Sequence, residues 1–353
     1  MCRHCRKVSP YEPSVPPLVA AFVAVAAVAL AGCSGGSSDV MGGGDGGADG
    51  SGGTINLFAY GVPKPGYDKV TTAFAETDEG QGVRFNPSYG ASGDQSRKVR
   101  DGAQADLVSF SVEPEITRLV EAGLVDDSWN QDAYGGVPFG SVVTLVVREG
   151  NPKNIRDWDD LLRPGIEVVT PNPFSSGSAK WNLLAPYAAE SEGGRNPQAG
   201  LDYLGKLVSE HVKVQPKSGR EATEMFLQGT GDVLLSYENE ALFTERKGDP
   251  VEHVTPAVTF KVENPVAVVS TGRNASTAVT FREFLYTPAA QRQWAQAGFR
   301  PVDQAVLAEF AADFPEPQKL WTIADLGGWD AVDQDLFEQD SGRIAAIYEN
   351  ATK

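Results

Sequence analysis

Three short loops of glycine and small hydroxyl residues are the segments of this sequence best suited to chemistry. They cover residues 88–93, 170–178 and 218–220, and a helix-like pattern follows each of them. A helix N-terminus presents unpaired backbone N–H groups and a partial positive charge. Glycine admits a ligand close to the backbone, and serine adds a hydroxyl donor. If several such helix starts converge, they bind a small dianion without a metal ion or a lysine. The loops therefore predict a site for an inorganic oxyanion.

The supply of histidine and cysteine argues against catalysis. The chain has three residues of each type. Cys2, Cys5 and His4 lie in a predicted export signal, so only His211 and His253 remain for the folded part. These two are too few and too scattered for a metal cluster or a histidine-activated nucleophile. We therefore predict no catalytic residue, no metal site and no cofactor.

The N-terminus has the pattern of an export signal. A basic segment at residues 3–7 precedes an uncharged run at residues 18–32, which is shorter than the ~20 residues of a membrane-spanning helix. The run ends in Leu-Ala-Gly followed by Cys33, which resembles the signal of bacterial lipoproteins. This resemblance implies cleavage of residues 1–32 and lipid attachment to Cys33. An uncleaved anchor helix is the alternative. Either way we expect an extracytoplasmic protein, lipid-anchored in the first case to the outer face of the cell membrane.

Length and charge restrict the class of protein further. The chain has 353 residues, of which 41% are hydrophobic, and a formal net charge of −17. This length is typical of two domains, and the composition is that of a folded protein. The acidic excess disfavours a nucleic-acid partner. It does not exclude an anionic ligand, because exposed carboxylates beyond ~10 Å are screened by salt.

The elements that must position the loops alternate along the chain. Residues 34–53 are half glycine, so we predict a flexible tether at 33–53 and a folded part from residue 54. Alternating strand and helix patterns then favour an α/β fold with largely parallel sheets. The predicted strands cover residues 55–60, 83–89, 105–110, 142–148, 166–170, 231–237 and 266–269. The predicted helices cover residues 67–76, 115–121, 179–187, 201–209, 222–228, 281–286 and 289–297.

A break at residues 149–152 predicts a crossing between two lobes. The sequence there is Glu-Gly-Asn-Pro, which combines two strong turn signals. We assign residues 54–148 and 266–353 to lobe 1, with the last part packing back, and residues 149–265 to lobe 2. Two chain crossings would leave a cleft between the lobes, with the helix starts facing it.

Several longer motifs extend the pattern in a fixed order. They are GASG at 90–93, REGNPK at 148–153, TPNPFSSGSAKW at 170–181, GDVLLSYENEA at 231–241 and FRPV at 299–302. With these motifs the chain resembles the sulfate-binding proteins of ABC importers from residue 55 to about residue 329. The resemblance implies a type II periplasmic-binding-protein fold, in which each of two lobes is a mixed sheet flanked by helices. It also implies a monomer that delivers sulfate to an ABC permease and its ATPase.

The resemblance further implies the ligand set. In that family backbone amides, one serine hydroxyl and one tryptophan N–H hold the anion in the cleft. The serine corresponds to Ser176, and the tryptophan position is occupied by Tyr237, whose phenol also donates a hydrogen bond. The implied anion-binding residues are Gly61, Ser92, Ser176, Gly177, Ser178, Arg220 and Tyr237.

Four side chains have two interpretations each. Tyr237 either binds the anion or fills the core, and Trp181 packs in the core in preference to stacking on the ligand. Asp94, where the family commonly has lysine, either lies in solvent at a helix start or accepts a hydrogen from a protonated ligand. The Arg220 guanidinium either turns into the cleft or stays at the surface.

The candidate anions differ in whether they carry a proton at neutral pH. Sulfate carries none at neutral pH, so a pocket of donors satisfies it. Phosphate carries at least one O–H, and an unmatched buried donor costs ~1–3 kcal/mol. We therefore expect sulfate. Thiosulfate, molybdate and tungstate remain alternative ligands. A surface anion sensor and an enzyme that hydrolyses sulfate or phosphate esters remain alternative classes of protein.

Overall fold

Two β-sheets organise the chain in the computed structural model, which describes residues 52–351. The predicted signal at 1–32, Cys33 and the tether up to residue 51 lie outside the described residues. Within residues 52–351 the strands form one four-stranded and one eight-stranded sheet. This confirms the α/β class.

The first sheet contains the strand that starts the folded part. Its order is β10-β3-β1-β2. β1 pairs in parallel with β2 and β3, and β10 closes the sheet in the antiparallel direction. In β1 the side chains of Ile55, Leu57 and Ala59 are fully buried, as the period of two in a strand requires. The bounds are β1 (Thr54–Tyr60), β2 (Arg84–Gly90), β3 (Leu107–Ser109) and β10 (Val266–Val268).

The second sheet is built around one long strand. Its order is β12-β9-β4-β7-β5-β6, and β8 and β11 also pair with β4. The bounds are β4 (Phe139–Arg148), β5 (Val168–Val169), β6 (Val212–Val214), β7 (Val233–Tyr237), β8 (Val251–Val254), β9 (Val258–Glu263), β11 (Arg300–Pro301) and β12 (Lys319–Trp321). β4 runs antiparallel to β7, β8, β9 and β11. The expectation of largely parallel sheets is therefore wrong here. An antiparallel partner needs no crossover helix, so one ten-residue strand, with nine residues buried, can pair with several short strands.

Sheet membership differs from the predicted division of the chain at two places. β4 belongs to the second sheet, although residues 54–148 were grouped with lobe 1. The break after it is a tight turn, in which the Asn151 amide donates to the Arg148 carbonyl at 2.9 Å. Gly150 and Asn151 have φ angles of 73° and 43° there. In addition, β11 pairs with β4 and β12 pairs with β9, so two strands of the 266–353 segment also belong to the second sheet.

Helices flank both sheets. They are α1 (Lys64–Ala75), α2 (Ser92–Arg100), α3 (Pro114–Glu121), α4 (Gly177–Glu190), α5 (Pro197–Lys206), α6 (Gly219–Leu227), α7 (Glu238–Arg246), α8 (Ala275–Phe284), α9 (Pro288–Gln296), α10 (Gln304–Glu309), α11 (Trp329–Val332) and α12 (Arg343–Ala351). Short 3₁₀ turns lie at Trp158–Leu162 and Ala324–Leu326, and π-helical turns at Leu207–His211 and Asp333–Phe337. In the part of the chain described, none of these helices is both long and apolar enough to cross a membrane.

The three loops open helices, as the sequence predicts. α2, α4 and α6 begin at Ser92, Gly177 and Gly219, and the residue before each has extended backbone angles. α2 follows the carboxyl end of β2, which is parallel to β1. The carboxyl ends of parallel strands are the usual place for a ligand in such sheets.

An aromatic cluster fixes the turn that follows β1. In α1, Tyr67 packs edge-on against Trp294 of α9, with ring centroids 5.1 Å apart. Trp294 in turn stacks on Phe139 of β4 at 4.0 Å. A Cβ atom on Gly66 would lie 2.2 Å from the Trp294 ring, so glycine is required for this contact. The cluster holds the start of α1, and the turn at Gly61 before it, against the second sheet.

Candidate anion-binding site

The starts of α4 and α6 lie in close contact with each other and with the end of β3. A Cβ atom added to Gly219 would lie 2.8 Å from Ser178 Oγ, and one added to Gly177 would lie 2.8 Å from Ser111 Cβ. Real Cβ atoms essentially never approach so closely, so a side chain at either position would force Ser178 or Ser111 to shift. A Cβ atom on Gly93 would lie 3.2 Å from the Ser175 carbonyl oxygen. The structure therefore brings all three predicted loops together. It adds Ser111, which the sequence analysis missed.

The backbone amides at the starts of α2, α4 and α6 have no preceding helical carbonyl to donate to. Gly61 lies in the turn between β1 and α1. Ser92, Gly177, Ser178, Gly219 and Arg220 lie in the first turns of the three helices, where the N–H groups have no partner within the helix. Such amides, at the positive end of the helix dipole, are suited to an anion.

Ser176 and Ser178 form a buried hydroxyl pair. Their Oγ atoms are 2.7 Å apart, and the two residues are 3% and 4% exposed. Each hydroxyl carries one hydrogen, and one hydrogen suffices for the bond between them. The pair therefore has one hydrogen left for a third group.

A second hydroxyl pair joins Ser111 to Tyr237. Tyr237 ends β7, and its phenol oxygen is 2.8 Å from Ser111 Oγ. Burial raises the pKa of Tyr237 well above the ordinary value of a phenol, although hydrogen bonds from Ser111 and Asn264 partly offset this. The phenol therefore keeps its proton at neutral pH and stays a hydrogen-bond donor.

Glu115 places a buried carboxyl group beside Ser92. Ser92 Oγ donates to Glu115 Oε2 at 2.5 Å and accepts from the Ser111 amide at 2.8 Å. The hydroxyl of Ser92 is thus used within the protein, and its amide is what remains. Burial raises the pKa of Glu115, while Ser92, Lys180 and Arg118 act in the opposite direction. The sequence analysis missed Glu115. Its one signal was its place in the first turn of α3, just after the end of β3.

The Arg220 guanidinium is paired with a buried carboxylate. Its Nη2 atom lies 2.9 Å from Oε1 of Glu240, a residue of α7 that is 2% exposed. Thr223 donates to the other carboxylate oxygen at 3.2 Å. At the loop itself, a Cβ atom on Gly61 would lie 3.4 Å from Arg220 Cβ. The guanidinium, for which a cleft position and a surface position were both open, is thus held in an ion pair, and the backbone amide of Arg220 lies at the loop.

Asp94 and Trp181 have structural partners. Asp94 pairs with Arg97 at 2.5 Å, and its side chain is 44% exposed, which supports the solvent interpretation. Trp181 is fully buried, packs edge-on against Trp329, and donates its indole N–H to the Ser111 carbonyl at 2.7 Å. The packing interpretation of Trp181 agrees with these contacts.

The donor set suits a ligand that only accepts hydrogen bonds. Unpaired amides and two hydroxyl pairs offer hydrogens. The described residues hold no cluster of three or more histidine, cysteine, aspartate or glutamate side chains that could bind a metal ion. The Tyr60 hydroxyl is also buried, with no partner in the described part of the chain.

Comparison with known proteins gives a consistent result. Residues 55–300 match the family described as bacterial extracellular solute-binding protein. A sulfate-binding protein of Synechococcus elongatus is 40% identical over 80% of this chain and 83% of its own length. A thiosulfate-binding protein of Pseudomonas aeruginosa is 32% identical over 82% of this chain and 90% of its own.

A solved structure agrees at higher identity. The sulfate-binding protein SubI from Mycobacterium tuberculosis H37Rv is 67% identical, with a TM-score of 0.80. The match covers 81% of this chain and 99% of that one. The family match at residues 55–300 includes all three helix starts, and the structural similarity confirms the two-lobed type II fold. The chain therefore belongs to the family of bacterial extracellular solute-binding proteins.

Proposed function

We propose that this protein binds sulfate between its two lobes and delivers it to an ABC permease driven by an ATPase. The observation that carries the proposal is the convergence of unpaired helix-start amides and hydroxyl pairs in one place. Relatives named as sulfate-binding proteins, at 40% and 67% identity, support the same ligand. On this proposal the protein is a receptor and not an enzyme.

The proposed ligand set follows from the donors that remain free. The Ser176 hydroxyl and the Tyr237 phenol would each give one hydrogen, and the other contacts would be backbone amides. Arg220 would contribute its amide alone, since its side chain is paired with Glu240. The proposed anion-binding residues are Gly61, Ser92, Ser176, Gly177, Ser178, Arg220 and Tyr237.

Sulfate fits this set better than a protonated anion does. Glu115 is the acceptor beside the site, and its Oε2 atom already receives the Ser92 hydroxyl and the amides of Ser111 and Val112. A phosphate O–H would therefore compete with three donors at this oxygen. Hydrogen bonds to a charged group contribute ~1.5–3 kcal/mol each. About six of them exceed the ~8 kcal/mol of a micromolar complex, which leaves a margin for closing the lobes.

Thiosulfate is the second candidate, because the Pseudomonas aeruginosa relative is named for it. Thiosulfate is also an unprotonated dianion that only accepts hydrogen bonds. We further propose lipid anchoring at Cys33, an extracytoplasmic location and a monomeric state. The division into lobe 1 (54–148 and 266–353) and lobe 2 (149–265) is also proposed, with the strands β4, β11 and β12 of lobe 1 pairing in the second sheet.

Calorimetric titration of the full chain in mild detergent tests the proposal. We expect tight sulfate binding, weaker or no phosphate binding, and a loss of about tenfold or more in sulfate affinity for Ser176→Ala. Asp94→Ala is the matched control and should bind as the wild type does, because Asp94 pairs with Arg97 in solvent. Absence of sulfate binding by the wild type would refute the proposal. Selective binding of thiosulfate would keep the receptor and change its ligand.

A further inference from the structure

Hydrogen bonds to the backbone carbonyl and from the backbone amide of Ser111 hold this residue in place. Its carbonyl accepts from Trp181 Nε1 at 2.7 Å and from Asn264 Nδ2 at 3.0 Å. Its amide donates to Ser92 Oγ and to Glu115 Oε2 at 2.8 and 3.2 Å. The residue is fully buried. Its hydroxyl therefore stands at a fixed point, 2.8 Å from the Tyr237 phenol.

The Ser111–Tyr237 pair has one hydrogen left for a third group. Each hydroxyl has one hydrogen, and the bond between them uses one of the two. Asn264 Nδ2 already donates to the Ser111 carbonyl, while Asn264 Oδ1 and the Tyr60 hydroxyl are buried without a partner among the described residues. The remaining hydrogen of the pair is therefore available to an external acceptor.

We propose that Ser111 is a positioning residue for anion binding: it donates its hydroxyl hydrogen to the Tyr237 oxygen and so directs the phenol hydrogen to the anion. The inference rests on the proposed function. A phenol is a stronger hydrogen-bond donor and a weaker acceptor of protons than an alcohol, as its pKa of about 10 indicates. The Tyr237 phenol is therefore the better donor to a dianion. The Ser111 hydroxyl is the better donor to the phenol oxygen.

The proposal explains how a tyrosine serves at this position. An indole N–H has one fixed direction, whereas a phenol hydrogen rotates about the C–O bond. Without a hydrogen-bonded neighbour, the phenol hydrogen would also occupy rotamers that do not face the anion, which would weaken its hydrogen bond to the anion. Ser111 removes that freedom by occupying the lone pair of Tyr237 that faces it. We therefore expect the two hydroxyls to act as one unit.

A double-mutant cycle on the full chain tests this unit. Sulfate affinity is measured by calorimetry for the wild type, Ser111→Ala, Tyr237→Phe and the double variant. We expect a loss of about tenfold or more for Tyr237→Phe, about three- to tenfold for Ser111→Ala, and no further loss in the double variant. Ser109→Ala is the matched control. It removes a buried hydroxyl two residues away that has no hydrogen-bond partner in the described chain, and should leave affinity unchanged.

The outcomes separate the inference from the proposed function. If Ser111→Ala weakens binding by the same factor with and without the Tyr237 hydroxyl, Ser111 acts only through the fold and the inference is overturned. Wild-type affinity in Ser111→Ala overturns it as well. Failure of the wild type to bind sulfate overturns the proposed function first, and the inference with it. Thermal unfolding of the anion-free variants shows whether each is folded.

Discussion

Among single residues, Glu115 places a buried carboxyl group beside the proposed site for a dianion. It accepts the hydroxyl of Ser92 and the amides of Ser111 and Val112. These contacts order the end of β3 and the start of α2, which both reach the site. The arrangement is electrostatically costly, because burial raises the pKa of Glu115. A protonated Glu115 avoids repulsion with a neighbouring anion.

Glu115 should make sulfate affinity depend on pH. Its pKa is raised above the ordinary value of 4.5, so the folded protein keeps a proton that the unfolded chain loses. The associated stability is present below about 4.5 and is lost as the pH rises through the raised pKa. A bound dianion raises this pKa further. Sulfate binding should therefore take up a proton, and affinity should fall as the pH rises through that range.

Calorimetry from about pH 5 to about pH 8 checks this expectation. Glu115→Gln cannot ionise and should flatten the dependence, while Asp94→Asn, which removes an exposed carboxylate near the same site, should retain it. Equal slopes for Glu115→Gln and the wild type would show that another group carries the pH dependence.

Residue types near helix starts were predictable from sequence, and long-range pairings were not. Ser176, Gly177 and Gly219 stand in recognisable loops, because small residues before a helix pattern have a local signature. Ser111 and Tyr237 are 126 positions apart, and each looks like an ordinary core residue in its own segment. Nothing local distinguishes Arg220 in an ion pair with Glu240 from an arginine in the cleft.

At the level of elements, the contact between the starts of α4 and α6 depends on a missing side chain. A Cβ atom on Gly219 would lie 2.8 Å from Ser178 Oγ. It would push α6 away from α4 or displace the Ser178 hydroxyl from its partner Ser176. Either change disturbs several proposed donors at once.

Gly219→Ala should therefore lose sulfate affinity by about tenfold or more while the protein stays folded. Gly205→Ala is the control, since a Cβ atom there meets nothing within 4 Å and the position lies within α5. It should leave affinity unchanged and stabilise the protein by up to ~1 kcal/mol, because alanine favours the helix. Titration calorimetry and thermal unfolding of both variants give the comparison. Wild-type affinity in Gly219→Ala would show that the two helix starts need not touch.

The hydrophobic pattern of the sequence predicts several of the segments that form strands, but not which strands pair with each other. The apolar run in β4 correctly predicts a buried strand, but burial does not specify partners or their direction. β4 pairs with β7, β8, β9 and β11, and these pairings are set by turns far along the chain. The very short strands β5 and β11 have too few residues to show a period of two. The strands β6, β8, β9, β11 and β12 were not predicted.

In the whole molecule, the proposed ligands come from elements of both sheets. Gly61 and Ser92 follow strands of the first sheet, while Tyr237 ends a strand of the second. Gly177 and Gly219 open helices that pack on that second sheet. One anion bound by all of them would therefore join the two sheets by hydrogen bonds. Such a ligand binds the native state and not the unfolded chain, so it stabilises the whole fold.

Sulfate should accordingly raise the unfolding temperature in proportion to the logarithm of its concentration. The stabilisation is about 2.7 kcal/mol at 100 times Kd and about 4.1 kcal/mol at 1,000 times Kd. For a folded part of this size, each kcal/mol corresponds to roughly 2–4 °C or less. Thermal scans with sodium sulfate measure the shift, with sodium chloride at equal ionic strength as the control. The shift should shrink in Ser176→Ala and Gly219→Ala and persist in Asp94→Ala, because only the first two touch the proposed donors. An equal shift with chloride, or with phosphate at the same concentration, would mean that screening of the −17 charge, and not a site for an unprotonated dianion, stabilises the protein.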